Sequence, residues 1–472
     1  MKTEKSIVKN PSLLSKLPFL LVFVMTLILT SCSTEEVEPI TIDNQELSII
    51  ETLDSYDDQS NTAARSANSK SGKSSDKPTF KTLSVALAKT GLAGTVSSNR
   101  LTVFAPTDQA FAALGLNQRN IVSELGVETL RSILLYHVVG STVYSGDLSN
   151  GFVPTLNGAS VEVNLDFGVQ INDATVVAAD IRARNGVIHA IDSVLIPPMM
   201  NITELAIASF GIESSLVQAV LRAELQDVLA NGGPFTVFAP DQDAFDIFLS
   251  ENGFGSVDDV PVDLLTKVLL YHVVDGRVFS TDLMNGYVPT LNGAAVNINL
   301  DSGVMVDSAN VLAANIQATN GVVHVIDAVL FPPTMNLVGV ASGFAPEFSI
   351  LLEAATKAGL ADTLMNGGPF TVFAPTNNAF IELLSLLEDY NSLEDFDTPE
   401  DIAFLTSVLL YHVVEGRVYS SDLSNGLVPT LNGANFNVSL GSSVLINDAE
   451  VIIPNVQATN GVIHAINKVL VP

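Results

Sequence analysis

The sequence predicts an α+β fold built as three tandem copies of one module. Three observations carry that prediction. First, LTVFAP begins at Leu101 and recurs as FTVFAP at Phe235 and Phe370. Self-similarity at a fixed period marks a repeat architecture. Second, LLYHVV supplies the pairs Tyr136-His137, Tyr271-His272 and Tyr411-His412, and each histidine is followed 52 residues later by another, at His189, His324 and His464. These six are all the histidines in the chain. A spacing that stays constant through three copies implies a compact module rather than a free linker. Third, the apolar period within each copy changes from helical to alternating, so a helical half feeds a β-rich half.

The elements follow in order. Lys2, Lys5, Lys9 and Lys16 precede the apolar run LPFLLVFVMTLILT at 17–30, which reads as a secretory leader. The run is shorter than the ~20 residues of a spanning helix. It meets Leu29-Thr30-Ser31-Cys32, and Cys32 is the sole cysteine. This stretch resembles a bacterial lipobox, which implies removal of residues 1–31 and lipidation of Cys32. Ser33-Thr34-Glu35-Glu36 resembles the surface-export signal of Bacteroidetes lipoproteins. An outer-membrane lipoprotein facing the cell exterior is therefore expected, held to the membrane by its lipid anchor. Residues 32–77 are expected to form a flexible tether. The stretch 54–77 is polar and small, with too little apolar surface to fold; 40–53 admits a short strand or helix.

Three modules follow, at 78–198, 199–333 and 334–472. The paired prolines Pro197-Pro198 and Pro332-Pro333 mark the breaks. In the first copy, KTLSVALAKTGLAGTV at 81–96 carries a helical apolar stripe. LTVFAP reads as a buried strand. Thr107-Asp108 reads as a helix start with a side-chain cap. A longer helix ends in TLRSILLYHVV. The remainder alternates through SVEVNLD, GVQINDATVVAADI and GVIHAIDSVLIP. Asn157-Gly158 and Asn185-Gly186 are strong turn signals, repeated in the other copies.

TVFAPTDQAF, the LLYHVV helix end, PTLNG and NGVIHAIDSVLIPP occur in this order in each copy with small changes. Together they resemble the fasciclin domain family over residues ~78–472. The resemblance implies a twisted β-wedge with packed helices. It also implies cell adhesion and matrix attachment through surface proteins or glycans, with the Tyr-His segment implicated. Carried over, the adhesion-motif residues are Tyr136, His137, Tyr271, His272, Tyr411 and His412.

The residues themselves point inward. His137 follows Ile133 by four and Leu134 by three, so it lies on the apolar stripe of its helix. His189 alternates with Val187 and Ile191 on one strand face. His189, His324 and His464 are therefore read as structural histidines. A hydrolase would need a nucleophile, a base and an orienting carboxylate. Asp192 and Asp327 lie near the strand histidines, but the third copy has Asn467 there. No GxSxG, HExxH or phosphate-cradling loop occurs. The expectation is therefore no catalytic residue, no metal and no cofactor. LEDYNSLEDFDTPED at 387–401 is acidic but lacks the EF-hand ligand order.

Composition agrees. The chain has 472 residues, 47% of them hydrophobic, with mean hydropathy +0.38. That exceeds what disorder allows and suits several domains. A formal charge of −30 opposes binding to nucleic acid. The expected function is a non-enzymatic surface adhesion or matrix-attachment lipoprotein. Capture of a ligand or polysaccharide for an uptake system is the competing reading, followed by a histidine/carboxylate metal-dependent hydrolase.

Overall fold

The computed structural model describes residues 47–66, 77–344, 347–387 and 390–472, and Asn44–Pro472 forms one compact unit. The expected leader, Cys32 and Ser33–Glu36 lie outside the described residues. Among the described residues no helix is long and apolar enough to cross a membrane.

The chain builds three seven-stranded sheets, one per repeat, each with its own helices. In the first domain the strands are β1 (Leu101–Pro106), β2 (Val138–Val139), β3 (Gly151–Pro154), β4 (Ser160–Asn164), β5 (Gln170–Ile171), β6 (Ala174–Ala183) and β7 (Gly186–Ile191). Their spatial order is β2-β1-β7-β6-β5-β4-β3. Only β1 and β7 pair in parallel, with Phe104 opposite His189. The other two domains repeat this order.

β1 and β7 are covered on both faces, which is why LTVFAP is apolar at nearly every position. Successive side chains alternate. Val103 and Ala105 enter a helical core with Leu83, Leu87, Leu130 and Leu134. Phe104 enters a second core inside the folded sheet, with Val161, Val163 and Ile171. Each domain therefore has two cores divided by its central strand pair. Thr102, on the same face as Phe104, is wholly buried, and its hydroxyl donates to the Ser141 carbonyl (2.6 Å) and accepts from the Val143 N–H (2.8 Å).

Two elements differ from expectation. The stretch 81–96 is two helices, Lys81–Lys89 and Ala93–Ser98, because Gly91 takes φ +70° between them. Residues Ile49–Ser66 form a helix rather than the start of a tether. Ile49 and Leu53 are wholly buried in the helical core. Ile50 and Tyr56 pack beside them, and the Asp57 carboxylate accepts from the Phe80 N–H, so one face docks a helix whose other face is polar. This helix thus packs into the core of the first domain.

The helices Ile202–Phe210 and Leu337–Gly343 hold the same place in the other domains. One asparagine per domain fixes all three. The Asn185 side chain accepts from the Ile49 N–H (2.9 Å) and donates to the Val96 (2.7 Å) and Asn99 (2.8 Å) carbonyls. Asn320 accepts from Ile202 N–H and Asn460 from Leu337 N–H. The following glycine is forced: a Cβ at Gly186 would collide with the Leu101 carbonyl oxygen. This is the physical content of the Asn-Gly signal at 185–186. Thr107 caps the helix Asp108–Ala113 as expected, accepting from the Ala110 N–H.

Candidate functional site

The Tyr-His histidine sits where the long helix ends. His137 is 1% exposed. Its Nδ1 lies 2.8 Å from the Ile133 carbonyl oxygen, and its Nε2 accepts from the Leu195 N–H at 2.9 Å. An amide can only donate, so Nε2 must carry a lone pair and Nδ1 the proton. The ring is neutral and bridges the helix end to the last segment of the domain. His272 makes the same pair with Val268 (2.8 Å) and Leu330 (2.9 Å). His412 does so with Val408 (2.8 Å) and Leu470 (2.8 Å). Burial drives the pKa of each of the three down to about 4 from 6.5, against the helix carbonyl that favours the charged form.

The strand histidines brace a different corner. His189 Nε2 lies 2.9 Å from the Val143 carbonyl, and Nδ1 accepts from the Asp180 N–H at 3.3 Å. His324 and His464 repeat this with Val278 and Asn315, and with Val418 and Asn455. Each imidazole also faces a phenylalanine of the neighbouring strand, at 5.8, 5.6 and 5.2 Å between centroids. Asp180, Asn315 and Asn455 sit at positive φ in the irregular stretch of their strand. Asx residues tolerate that conformation. Their side chains in turn accept from the N–H of Ser145, Ser280 and Ser420. Burial again lowers the pKa of all three histidines.

The carboxylates near these rings do other work. Asp192 accepts from the Thr175 N–H at 2.8 Å, Asp327 from Asn310 N–H at 2.6 Å, and Asn467 from Glu450 N–H at 2.8 Å. An amide oxygen performs this task as well as a carboxylate, which explains Asn467. Asp282 and Asp422 accept from backbone N–H groups three residues earlier and close turns. In the acidic segment of the third domain, Asp395 accepts from Asn391 and Ser392 N–H, and Asp401 accepts from the N–H of Thr398, which caps the helix Pro399–Tyr411. Among the described residues no three His, Cys, Asp or Glu side chains converge as a metal site would require.

Tyr136, Tyr271 and Tyr411 are buried, so none of the six adhesion-motif residues presents its ring at the surface. Each tyrosine hydroxyl donates to a carbonyl across its domain: Ser160 (2.8 Å), Ala295 (2.9 Å) and Asn435 (2.9 Å). Two of those residues are the docking points between domains. Gln317 of the second domain accepts from the Ser160 N–H (3.0 Å) and donates to the Ser160 carbonyl (2.8 Å). Gln457 of the third domain treats Ala295 identically, at 3.0 and 2.7 Å. Beside each glutamine two aromatic rings stack across the junction. Phe152 meets Phe279 at 4.0 Å and 4°, and Tyr287 meets Tyr419 at 4.4 Å and 4°. Tyr136 and Tyr271 thus stand directly behind the surfaces that couple the modules.

A family model for the fasciclin domain matches residues 78–197, 213–332 and 346–472. The chain belongs to the fasciclin domain family. It is 27% identical to human periostin over 390 residues, which is 79% of this chain and 43% of periostin. It is 32% identical to the pig transforming growth factor-beta-induced protein ig-h3 over 256 residues, 53% of this chain and 36% of that protein. The chain thus spans less than half the length of these curated relatives. A solved fasciclin domain pair from the insect cell adhesion molecule Fasciclin I is 21% identical and covers 54% of this chain and 96% of its own, with a TM-score of 0.25.

The fasciclin repeats carry a sequence mark of their junctions that motif reading missed. Gln317 and Gln457 replace Arg182 of the first fasciclin domain, and Arg277 and Arg417 replace Thr142. Arg277 donates to the carbonyls of Ala318, Thr319 and Gly321, and so firms the hairpin that presents Gln317. Arg417 repeats this in the third domain. In the first fasciclin domain Tyr144 stands where Phe279 and Tyr419 stand; it is half-buried, with the Arg182 guanidinium 5.5 Å from its ring centre.

Proposed function

We propose that the chain is a non-enzymatic cell-surface protein for adhesion or matrix attachment, held to the outer membrane through lipid on Cys32. The observation that carries this reading is the repeated junction. Three modules are coupled by one geometry, while every histidine is committed to the interior, and the one described carboxylate beside a ring, Asp180 at 3.9 Å from His189 Nδ1, is asparagine at the matching positions 315 and 455. A coupled array presents several weak sites at fixed spacing, and avidity then exceeds single-site affinity by about 10²–10⁴ where the geometry fits. Recognition falls to outer loops rather than to the Tyr-His pairs, whose part is to hold the domain and support the junction. The partners are surface proteins or glycans.

Cells displaying the full chain are expected to adhere to immobilised matrix proteins or to spots of a glycan array, and cells lacking it are not. Adhesion unchanged by deleting the gene defeats the reading. Cys32→Ser is expected to move the protein from the membrane to the soluble fraction, and protease shaving of whole cells to release it.

A further inference from the structure

We infer that the second domain binds a small, uncharged, hydrocarbon-like molecule in a cavity beneath its first helix. The cavity has a volume of about 270 Å³ and lies between the helices Ile202–Phe210 and Ser215–Arg222 and the central strands. Apolar cavities of about 150 Å³ stay dry and take up hydrocarbon guests; this one is larger.

Its origin is visible by comparing the repeats. The Asn185, Asn320 and Asn460 side chains fix Ile49, Ile202 and Leu337 as equivalent positions. One turn later the first domain has Leu53, wholly buried in its core, and the second has Ala206, which lines the cavity. The amides of Leu92 and Leu225 reach the carbonyls of Leu87 and Val220, which aligns those two positions as well. Leu87 of the first domain is thus Val220 of the second, again on the cavity wall. Two side chains that fill the first domain are shortened in the second. The covering helix is correspondingly shallow: ITELAIASF is mostly apolar, yet Ile202 is its one fully buried residue. Ile207 and Leu221 stand at the rim, 36% and 37% exposed, and give a route in from solvent.

The lining selects the ligand. No charged side chain faces the space, and Thr203 and Ser209 are its polar members. The Thr203 hydroxyl already donates to the Gln226 carbonyl. A charged ligand would stand unpaired against aliphatic walls. The third domain has alanine at both positions, Ala341 and Ala355, but its covering helix sits deeper, with Leu337, Val340 and Ala341 all buried, and the space is about 70 Å³.

The uncharged fluorophore N-phenyl-1-naphthylamine tests this on the full chain. Saturable binding is expected at one site per chain, with slower hydrogen exchange over 202–210. Ala206→Leu restores the side chain the first domain carries and is expected to weaken binding at least about tenfold while leaving the melting temperature unchanged or higher. Val220→Leu does the same by the second wall, and Ala341→Leu leaves binding unchanged. Comparing variants cancels partition into membrane or detergent. Absence of saturable binding, or binding that survives both Ala206→Leu and Val220→Leu, overturns the inference.

Discussion

Acid is expected to loosen each domain through its Tyr-His histidine well before the carboxylates protonate. In the folded chain His137 donates through Nδ1 and accepts the Leu195 N–H at Nε2. Protonation would place a second N–H against that amide, so the folded state resists it down to a pKa of about 4. The unfolded chain takes the proton near 6.5. Between these values the unfolded state binds more protons, so stability is fully present above pH 6.5 and is lost as pH falls toward 4. The gap corresponds to about 3 kcal/mol per domain, of which about 2 is lost by pH 5. The strand histidines act with the same sign. Asp57 and Asp307, whose carboxyls burial pushes up, act with the opposite sign. His137→Gln isolates the effect, because glutamine offers a donor and an acceptor but does not titrate. Native-state hydrogen exchange at the amides of Leu195 and Leu330 reads the first two domains separately. In the parent chain both amides should exchange more readily, relative to intrinsic rates, at pH 5 than at pH 7.5. In His137→Gln the pH dependence should shrink at Leu195 to the part that His189 contributes and persist in full at Leu330. Equal pH dependence at both amides in the variant, or none in the parent, refutes the argument.

Three further outcomes follow from named contacts. Asp192→Asn should change stability by less than about 0.5 kcal/mol, because Asn467 already fills that role; a loss above 2 kcal/mol in urea unfolding would show that the charge matters. Phe152→Ala with Gln317→Ala should uncouple the first two domains, removing the ring stack, worth about 0.5–1.5 kcal/mol beyond its area, and both glutamine bonds; small-angle scattering should then show a broader distribution of interdomain distances at unchanged helix content. Asn320→Ala should destabilise the second domain by about 2–4 kcal/mol, since it strands the Ile202 N–H and the carbonyls that Asn320 satisfies; a smaller loss in thermal unfolding would mean that water replaces it.

Local signals reached far into this fold. The repeat period, the buried strand, the Thr107 cap and the inward placement of His137 and His189 all lie within a few residues of their cause, so periodicity and turn chemistry expose them. The helix at Ile49–Ser66 showed itself only as one option over 40–53, because its core-facing residues fall in its first half and the rest of its sequence reads as linker. Gly91 was legible as a helix end but was absorbed into a longer stripe. The junctions were invisible for a different reason. Ser160 and Gln317 lie 157 positions apart, and no periodic pattern links them. The cavity becomes legible only when Leu53 and Ala206 are aligned through their neighbouring asparagines.

The glutamine at each junction grips main chain and ignores the side chain it meets, which is serine in one case and alanine in the other. Such a clasp places little demand on the sequence it holds. A module copied in tandem would therefore seat against its neighbour at once, provided it kept its glutamine and one flat ring. Lengthening by gene duplication then needs no co-adapted surface, and the angle between successive modules is inherited with the copy.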